Sequence, residues 1–400
     1  MHVPLGYVAS TAILTWCTFF AVIAPRRPRL LATLSFRSGM VLNEVPILGM
    51  LAAAATTALA AAEGDLASPA GMATAMVALA TVPFLAVSAW HGQRANLVVG
   101  RALDQGLGTG WRGEPRRRRW PRILLLRWLT RRFPVTRIRN ISYGDAGRRN
   151  LLDVYLRRDT PQHAPVLVHF HGGHFTGGAK SREARPLLYR LASQGWVCIS
   201  ANYRLRPQTD FPGHQIDAKK VIAWVRTHGA EYGVDGSRLF VAGSSAGANM
   251  AAMCALTPND PEYQPGFESA DTSVTAAICL YGYYGHFFGA EPDVPPSVNQ
   301  PYAYLAPGAP PFLIAHGTRD ALATVEGARY FVDRLRSVSN GAVVYAELPG
   351  AQHAFDVFHS ARFEAVVDGV ESFARWVNGR PVEPLTGRGR PGPVAGPTNS

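Results

Sequence analysis

Cysteine is scarce in this sequence: four residues in 400, namely Cys17, Cys198, Cys254 and Cys279. None stands in a C-x-x-C pair or at metal-ligand spacing, so neither a disulfide framework nor a thiolate metal site is indicated. Each falls inside an apolar run and reads as a buried free thiol. Internal repeats are lacking too. Acidic residues are nearly missing from the first 150 positions, which hold 6 Asp/Glu against 19 Lys/Arg; the remainder holds 22 against 21. The formal charge of +12 is therefore +13 in the first part and −1 in the second. A nucleic-acid binder with basic charge spread along its length does not fit this distribution, whereas a basic segment beside a membrane does.

Charge is also lacking from three long apolar runs in residues 1–92. The first, Tyr7 to Ala24, carries no charge and is long enough to span a bilayer. A signal peptide is the rival reading, but no Lys or Arg precedes the run and no A-x-A pattern ends it before Pro25. The second, Met40 to Ala62, has Asn43 and Glu44 near its start, and the third, Gly71 to Trp90, is uncharged. These predict spans near 7–24, 40–62 and 71–90. Arg26, Arg27, Arg29 and Arg37 follow the first span, while the loop after the second is short and acidic (Glu63 to Pro69). By the positive-inside rule the N-terminus faces out and everything after Trp90 faces the cytoplasm, an assignment that depends on the parity of the span count. An ionisable residue in a span is a functional candidate by default, but Glu44 lies near the end closest to Arg37, so snorkelling to the interface is expected.

Residues 93–134 form a basic belt. Arg116 to Arg119 mixed with Trp120, Trp128 and Phe133 predict an interfacial helix on anionic lipid. From 135 to 379 the pattern alternates between strands and helices. Val135 to Tyr143 and Leu151 to Arg157 predict two leading antiparallel strands. Apolar runs at Val166 to Phe170, Trp196 to Asn202, Arg238 to Ala242, Ala276 to Tyr281, Phe312 to Ala315 and Val343 to Leu348 predict the others. Amphipathic helices are predicted between them, including Asp217 to Gly229 and Arg362 to Val377. The fold class is α/β, with a largely parallel sheet covered on both faces. Residues 380–400, rich in Pro, Gly and Arg, read as a disordered tail.

The chemistry centres on Leu239 to Met250, where an apolar strand ends in Gly243-Ser244-Ser245-Ala246-Gly247 and passes into a helical pattern. This is G-x-S-x-G at a strand-to-helix junction, a geometry that lifts the central serine, Ser245, to the tip of a strained turn with the Ala246 amide aimed at the same point. A serine nucleophile needs a base, a carboxylate to orient it, and amide donors for the oxyanion. Candidates occur in the order this elbow requires. Upstream, the strand at Pro165 runs into His171-Gly172-Gly173. Downstream, a strand ends at Asp320 and a later one at a loop histidine, His353. Asp356 is the alternative acid, expected instead as a surface or capping residue, and His316 is expected to be structural. The aromatics Tyr283, Tyr284, Phe287 and Phe288 follow a strand at the same end of the sheet and are candidates for an apolar acyl pocket.

With these residues in view, the chain from about Thr136 to Asn378 resembles an α/β-hydrolase of the hormone-sensitive-lipase-like carboxylesterase group. The marks are His171-Gly172-Gly173 with Gly177-Gly178-Ala179-Lys180 behind it, Tyr203-Arg204-Leu205-Arg206-Pro207, Phe211-Pro212 with Asp217, and Gly233-Val234-Asp235. The resemblance implies an eight-stranded hydrolase sheet, Ser245 as nucleophile, Asp320 as acid and His353 as base. It also implies oxyanion amides from Gly172, Gly173 and Ala246. One departure is His174, where the group often has a third glycine; with Phe175 after it, the loop is similar to the formamidase and feruloyl-esterase (BD-FAE-like) branch, and His174 becomes a substrate-facing candidate.

The function expected is that of a membrane-anchored serine carboxylesterase or lipase acting on acyl esters near the bilayer, with no metal or organic cofactor needed and no nucleic-acid partner. An amidase or formamidase of the same fold, and an inactive hydrolase fold serving as a binding module, are the alternatives.

Overall fold

The computed structural model describes residues 3–111, 134–159, 161–284 and 299–379. The predicted interfacial helix around 116–133, Phe287, Phe288 and the tail 380–400 lie outside the described residues. Four helices come first: α1 (Leu5–Val22), α2 (Arg29–Glu44), α3 (Pro46–Ala62) and α4 (Pro69–Leu107). Two of them, α1 and α4, are long and apolar enough to cross a membrane, or three if the bent pair α2 and α3 counts as one span. Large apolar side chains on this layer face outward, among them Ile13, Phe19, Leu51, Met76, Leu79 and Phe84. Polar contacts also link these helices, among them Tyr7 with Thr57, Thr15 with Thr81 and Trp16 with Ser38.

Two expectations about this layer need correction. The run 40–62 is not one continuous helix: it breaks at Val45, and α2 and α3 meet at 86°. The cause is Pro46, which opens α3 at its first turn and disfavours helical backbone at the residue before it. Nor does Glu44 snorkel outward. It is buried and paired with Arg362.

The basic linker expected over 93–134 is also different over its first part. Residues 93–107 continue α4, whose 39 residues at about 1.5 Å each make a helix of ~58 Å, nearly twice the ~30 Å hydrocarbon thickness. The distal half carries Ala95, Val99, Ala102 and Leu103 at helical spacing, all buried in the same apolar cluster as Val344 and Phe373. Close approach is what fixes the docking: a Cβ on Gly369 would meet Val99 Cγ1 at 2.4 Å.

Among the described residues, eight strands form one sheet: β1 (Val135–Ser142), β2 (Leu151–Arg157), β3 (Ala164–Phe170), β4 (Val197–Ala201), β5 (Val234–Ser244), β6 (Ala276–Leu280), β7 (Phe312–Gly317) and β8 (Val343–Leu348). The order is β1-β2-β4-β3-β5-β6-β7-β8. The pairs β1–β2 and β2–β4 are antiparallel, and every later pair is parallel. The inner strands are apolar on both faces because both are covered. Val166, Val168 and Phe170 point to one cluster, shared with α6 (Gly213–His228), α7 (Ala246–Leu256) and α8 (Val325–Val338). Leu167, Phe240 and Ala242 point to the other, shared with α4, α5 (Arg185–Ser193) and α9 (Ala361–Asn378). The C-terminal ends of the parallel strands, where open α/β sheets place their sites, carry the loops that matter below.

Candidate active site

Ser245 sits between β5 and α7 with φ 55° and ψ −117°, a backbone conformation rare for a residue with a side chain. The flanking glycines make it reachable. A Cβ on Gly243 would lie 2.0 Å from Gly247 O, and one on Gly247 would lie 2.1 Å from Phe170 O. The turn is pinned by the Ser245 amide, which donates to Leu280 O at 2.9 Å.

His353 lies in the loop after β8, its Nε2 2.9 Å from Ser245 Oγ and its Nδ1 2.7 Å from Asp320 Oδ2. Asp320 follows β7 and is fully buried. Its other oxygen accepts from the amides of Leu322 and Ala323, both at 2.9 Å. Burial by itself would push this carboxyl up, but the charge of His353 and hydrogen bonds from His316 and His353 outweigh it and hold the group well below the ordinary carboxylate range. His316 donates to Ala323 O at 2.7 Å and so braces the same turn.

The amides of Gly173 and Ala246, two of the three expected donors, make no backbone hydrogen bond in the turns and loops among the described residues. Ala246 opens α7, so its amide adds the positive end of a helix. Gly173 has φ 123°, and a Cβ there would strike Gly177 O at 2.2 Å. The third expected donor, Gly172, needs correction: its amide donates to the Glu183 carboxyl oxygen Oε2 and is already engaged. His171 bonds the neighbouring Gly172 O at 2.6 Å and stacks on Tyr203, whose hydroxyl donates to His171 O at 2.8 Å. Burial takes the His171 imidazole down to about 4, so it is neutral.

Behind the serine lies a buried polar chain that sequence reasoning missed. His169 Nε2 donates to Ser244 Oγ at 3.0 Å, and Ser244 donates to Asp356 Oδ2 at 2.6 Å. Tyr281 completes it through its hydroxyl on the other Asp356 oxygen. Asp356 is therefore an interior anchor and not the surface or capping residue expected. Burial pushes its carboxyl up. Glu183 and Gln352 were also invisible beforehand, since neither belongs to a motif.

The expected pocket residues divide. Exposed His174 stands at the rim, where desolvation of part of its ring and the nearby His353 charge lower its pKa. The Tyr283 amide approaches Ser245 O at 3.4 Å, and its ring is half-buried. Tyr284 does not line the site: its ring is 1% exposed and stacks on Phe331 in the core, centroids 4.4 Å apart.

Comparison with known proteins bears on the family and the fold. The BD-FAE family model matches residues 152–285. LipM of Mycobacterium tuberculosis, named as a carboxylic ester hydrolase, is 43% identical over 58% of this chain and 60% of its own length. Esterase LipQ of the same organism is 36% identical over 73% of this chain and 77% of its own. Among solved structures, an esterase from the planctomycete Thermogutta terrifontis, with butyrate bound, superposes with a TM-score of 0.52 at 25% identity, covering 62% of this chain and 96% of that one. Sequence identity sustained over most of both lengths, on an eight-stranded hydrolase sheet, makes this chain a member of the esterase family to which LipQ belongs.

Proposed function

We propose that this chain is a membrane-anchored serine esterase that cleaves carboxylic esters through an acyl-enzyme on Ser245. The observation that carries the proposal is the unbroken relay from Asp320 through His353 to Ser245, at 2.7 and 2.9 Å. In this reading His353 Nε2 accepts the Ser245 proton as Oγ attacks the ester carbonyl. Asp320 holds Nδ1–H and stabilises the imidazolium. The amides of Gly173 and Ala246 receive the oxyanion, and each such donor is worth ~3 kcal/mol at the transition state. His353 then passes the proton to the departing alcohol, and water attacks the acyl-enzyme by the same route in reverse. His174 and Tyr283 border the place where the acyl group would lie.

The outward apolar surface of the helical layer supports insertion of α1, α3 and the first half of α4 in the bilayer. Orientation has support that does not depend on counting spans. Arg26, in the turn before α2, bonds Glu326 at 3.0 Å and also Thr318 O, so the arginine-rich turn lies on the hydrolase side. Glu63 and Asp65 lie in the turn between α3 and α4. An arginine-rich near side and a far turn without Lys or Arg support a cytoplasmic hydrolase under the positive-inside rule.

The test is Ser245→Ala in the full chain, assayed on p-nitrophenyl acyl esters and on an N-formyl amide. Ester turnover should fall by at least ~10³-fold. Undiminished hydrolysis would overturn the assignment, and faster turnover of the amide would move it to an amidase.

A further inference from the structure

The loops that carry Asp320 and His353 leave different strands, and something must hold them in register. One side chain does much of this. Gln352 Oε1 accepts from the Ala321 amide at 2.7 Å and from the His353 amide at 3.0 Å. The residue after the acid and the base itself are thus clamped to one oxygen atom.

Gln352 is in turn held by the helical layer. Its Nε2 donates to Ser35 Oγ of α2 at 3.3 Å. Its backbone amide donates to Asn43 Oδ1, two turns further along α2, at 3.1 Å. The remaining Asn43 positions are also filled: Oδ1 accepts from Arg362 Nη1 at 3.0 Å, and Nδ2 donates to Gly350 O at 2.8 Å and Ala21 O at 3.0 Å. That satisfies both donors and both acceptor sites of one carboxamide, 2% exposed, at the junction of α1, α2 and the loop bearing His353. Phe36, next to Ser35, sets its ring edge-on to the His353 imidazole with centroids 5.8 Å apart. Ser35, Gly39 and Asn43 share one face of α2. Gly39 permits the approach, since a Cβ there would lie 2.7 Å from Ala21 N.

A tether would need none of this. We propose that α2 is part of the active site, with Asn43 and Ser35 acting as positioning residues through Gln352, so that ester hydrolysis requires the helical layer to be docked on the Asp320 and His353 loops. This rests on the relay reading above. It makes the membrane helices a regulatory partner of the relay: whatever moves α2 away from the loop separates the base from the serine. A displacement of ~1 Å at a reacting group can cost ~10²-fold in rate.

The experiment uses the full chain in detergent micelles and in phospholipid vesicles, measuring kcat, KM, the rate of fluorophosphonate labelling of Ser245 and the unfolding temperature. Asn43→Ala should lower kcat and the labelling rate by ~10- to 100-fold, with KM within ~2-fold of the parent. Ser35→Ala should lower kcat by ~3- to 10-fold, and Ser35→Thr, which keeps the hydroxyl, should recover it. Thr57→Val, which loosens the same layer at the Tyr7 contact far from the loops, should lower the unfolding temperature but not kcat. If Asn43→Ala loses stability as Thr57→Val does and keeps its kcat, the proposal is overturned. Should Asn43→Ala fail to fold, an unchanged kcat in Ser35→Ala overturns it equally. A Ser245→Ala enzyme that still hydrolyses esters would defeat the relay reading instead.

Discussion

Glu44 at the end of α2 and Arg362 in the first turn of α9 form an ion pair across 318 residues of chain, with side chains only 2% and 1% exposed. Ser360 adds a hydrogen bond to Glu44 Oε2 at 2.6 Å, and Arg362 also donates to Asn43 O at 3.2 Å. Ions this deeply withdrawn from water are tolerated only when paired, because each carries a desolvation cost of several kcal/mol.

Glu44→Ala should therefore destabilise the full chain by ~3–5 kcal/mol, since it leaves the Arg362 charge buried and unopposed. Glu44→Gln should cost less, as the amide oxygen still accepts from Arg362 and Ser360. Chemical unfolding in detergent measures both. An alanine variant as stable as the parent would mean that the helical layer is held to α9 by apolar packing alone.

That pair also marks where the sequence stops being legible. Strands such as Val166 to Phe170 and Val343 to Leu348 could be read because buried parallel strands are short apolar runs between turn residues. The order of Ser245, Asp320 and His353 could be read because the elbow leaves a local signature and each partner ends a strand. Arg362 could not be connected to Glu44, nor Asn43 to Gln352, because a single sequence carries no mark of contacts made across 300 residues. The break before Pro46 was legible in principle: proline disfavours helical backbone at the preceding residue, and the apolar character of 40–62 masked that signal. The docking half of α4 was hidden differently. Arg94 and Arg101 give it the charge of a linker, yet Ala95, Val99, Ala102 and Leu103 around them join the apolar cluster of β8 and α9.

Glu183 offers a test through pH. Burial is the main reason its carboxyl is raised, and the facing charge of Asp356 adds to it, while the Gly172 amide and Arg182 offset only part. The folded value thus lies above the ordinary 4.5. The folded state then holds a proton that the unfolded state has released, so the stability this group contributes is fully present below 4.5 and is lost as pH rises through the folded value. Unfolding temperatures of the parent should decline between pH ~5 and ~9, and Glu183→Gln, which cannot ionise, should flatten that decline. The same slope in both proteins would show that Glu183 does not govern it.

Tyr283 and Tyr284 are adjacent in the chain and should answer oppositely. Tyr284 is a core residue: its ring lies flat against Phe331 at 7° between planes, and its neighbour Gly282 has no room for a Cβ, which would meet the Tyr284 ring at 2.6 Å. Tyr283 instead lies along the serine turn, with its carbonyl accepting from Asn249 Nδ2 at 3.1 Å. Tyr284→Ala should therefore cost ~3–5 kcal/mol of stability and leave the preference among acyl chains as it was. Tyr283→Ala should cost less than ~1 kcal/mol, as expected for a half-exposed ring, and shift that preference when p-nitrophenyl esters from acetyl to dodecanoyl are compared. The reverse pattern, with chain-length preference following Tyr284, would place the acyl group in the core region where Phe312 and Phe331 now pack.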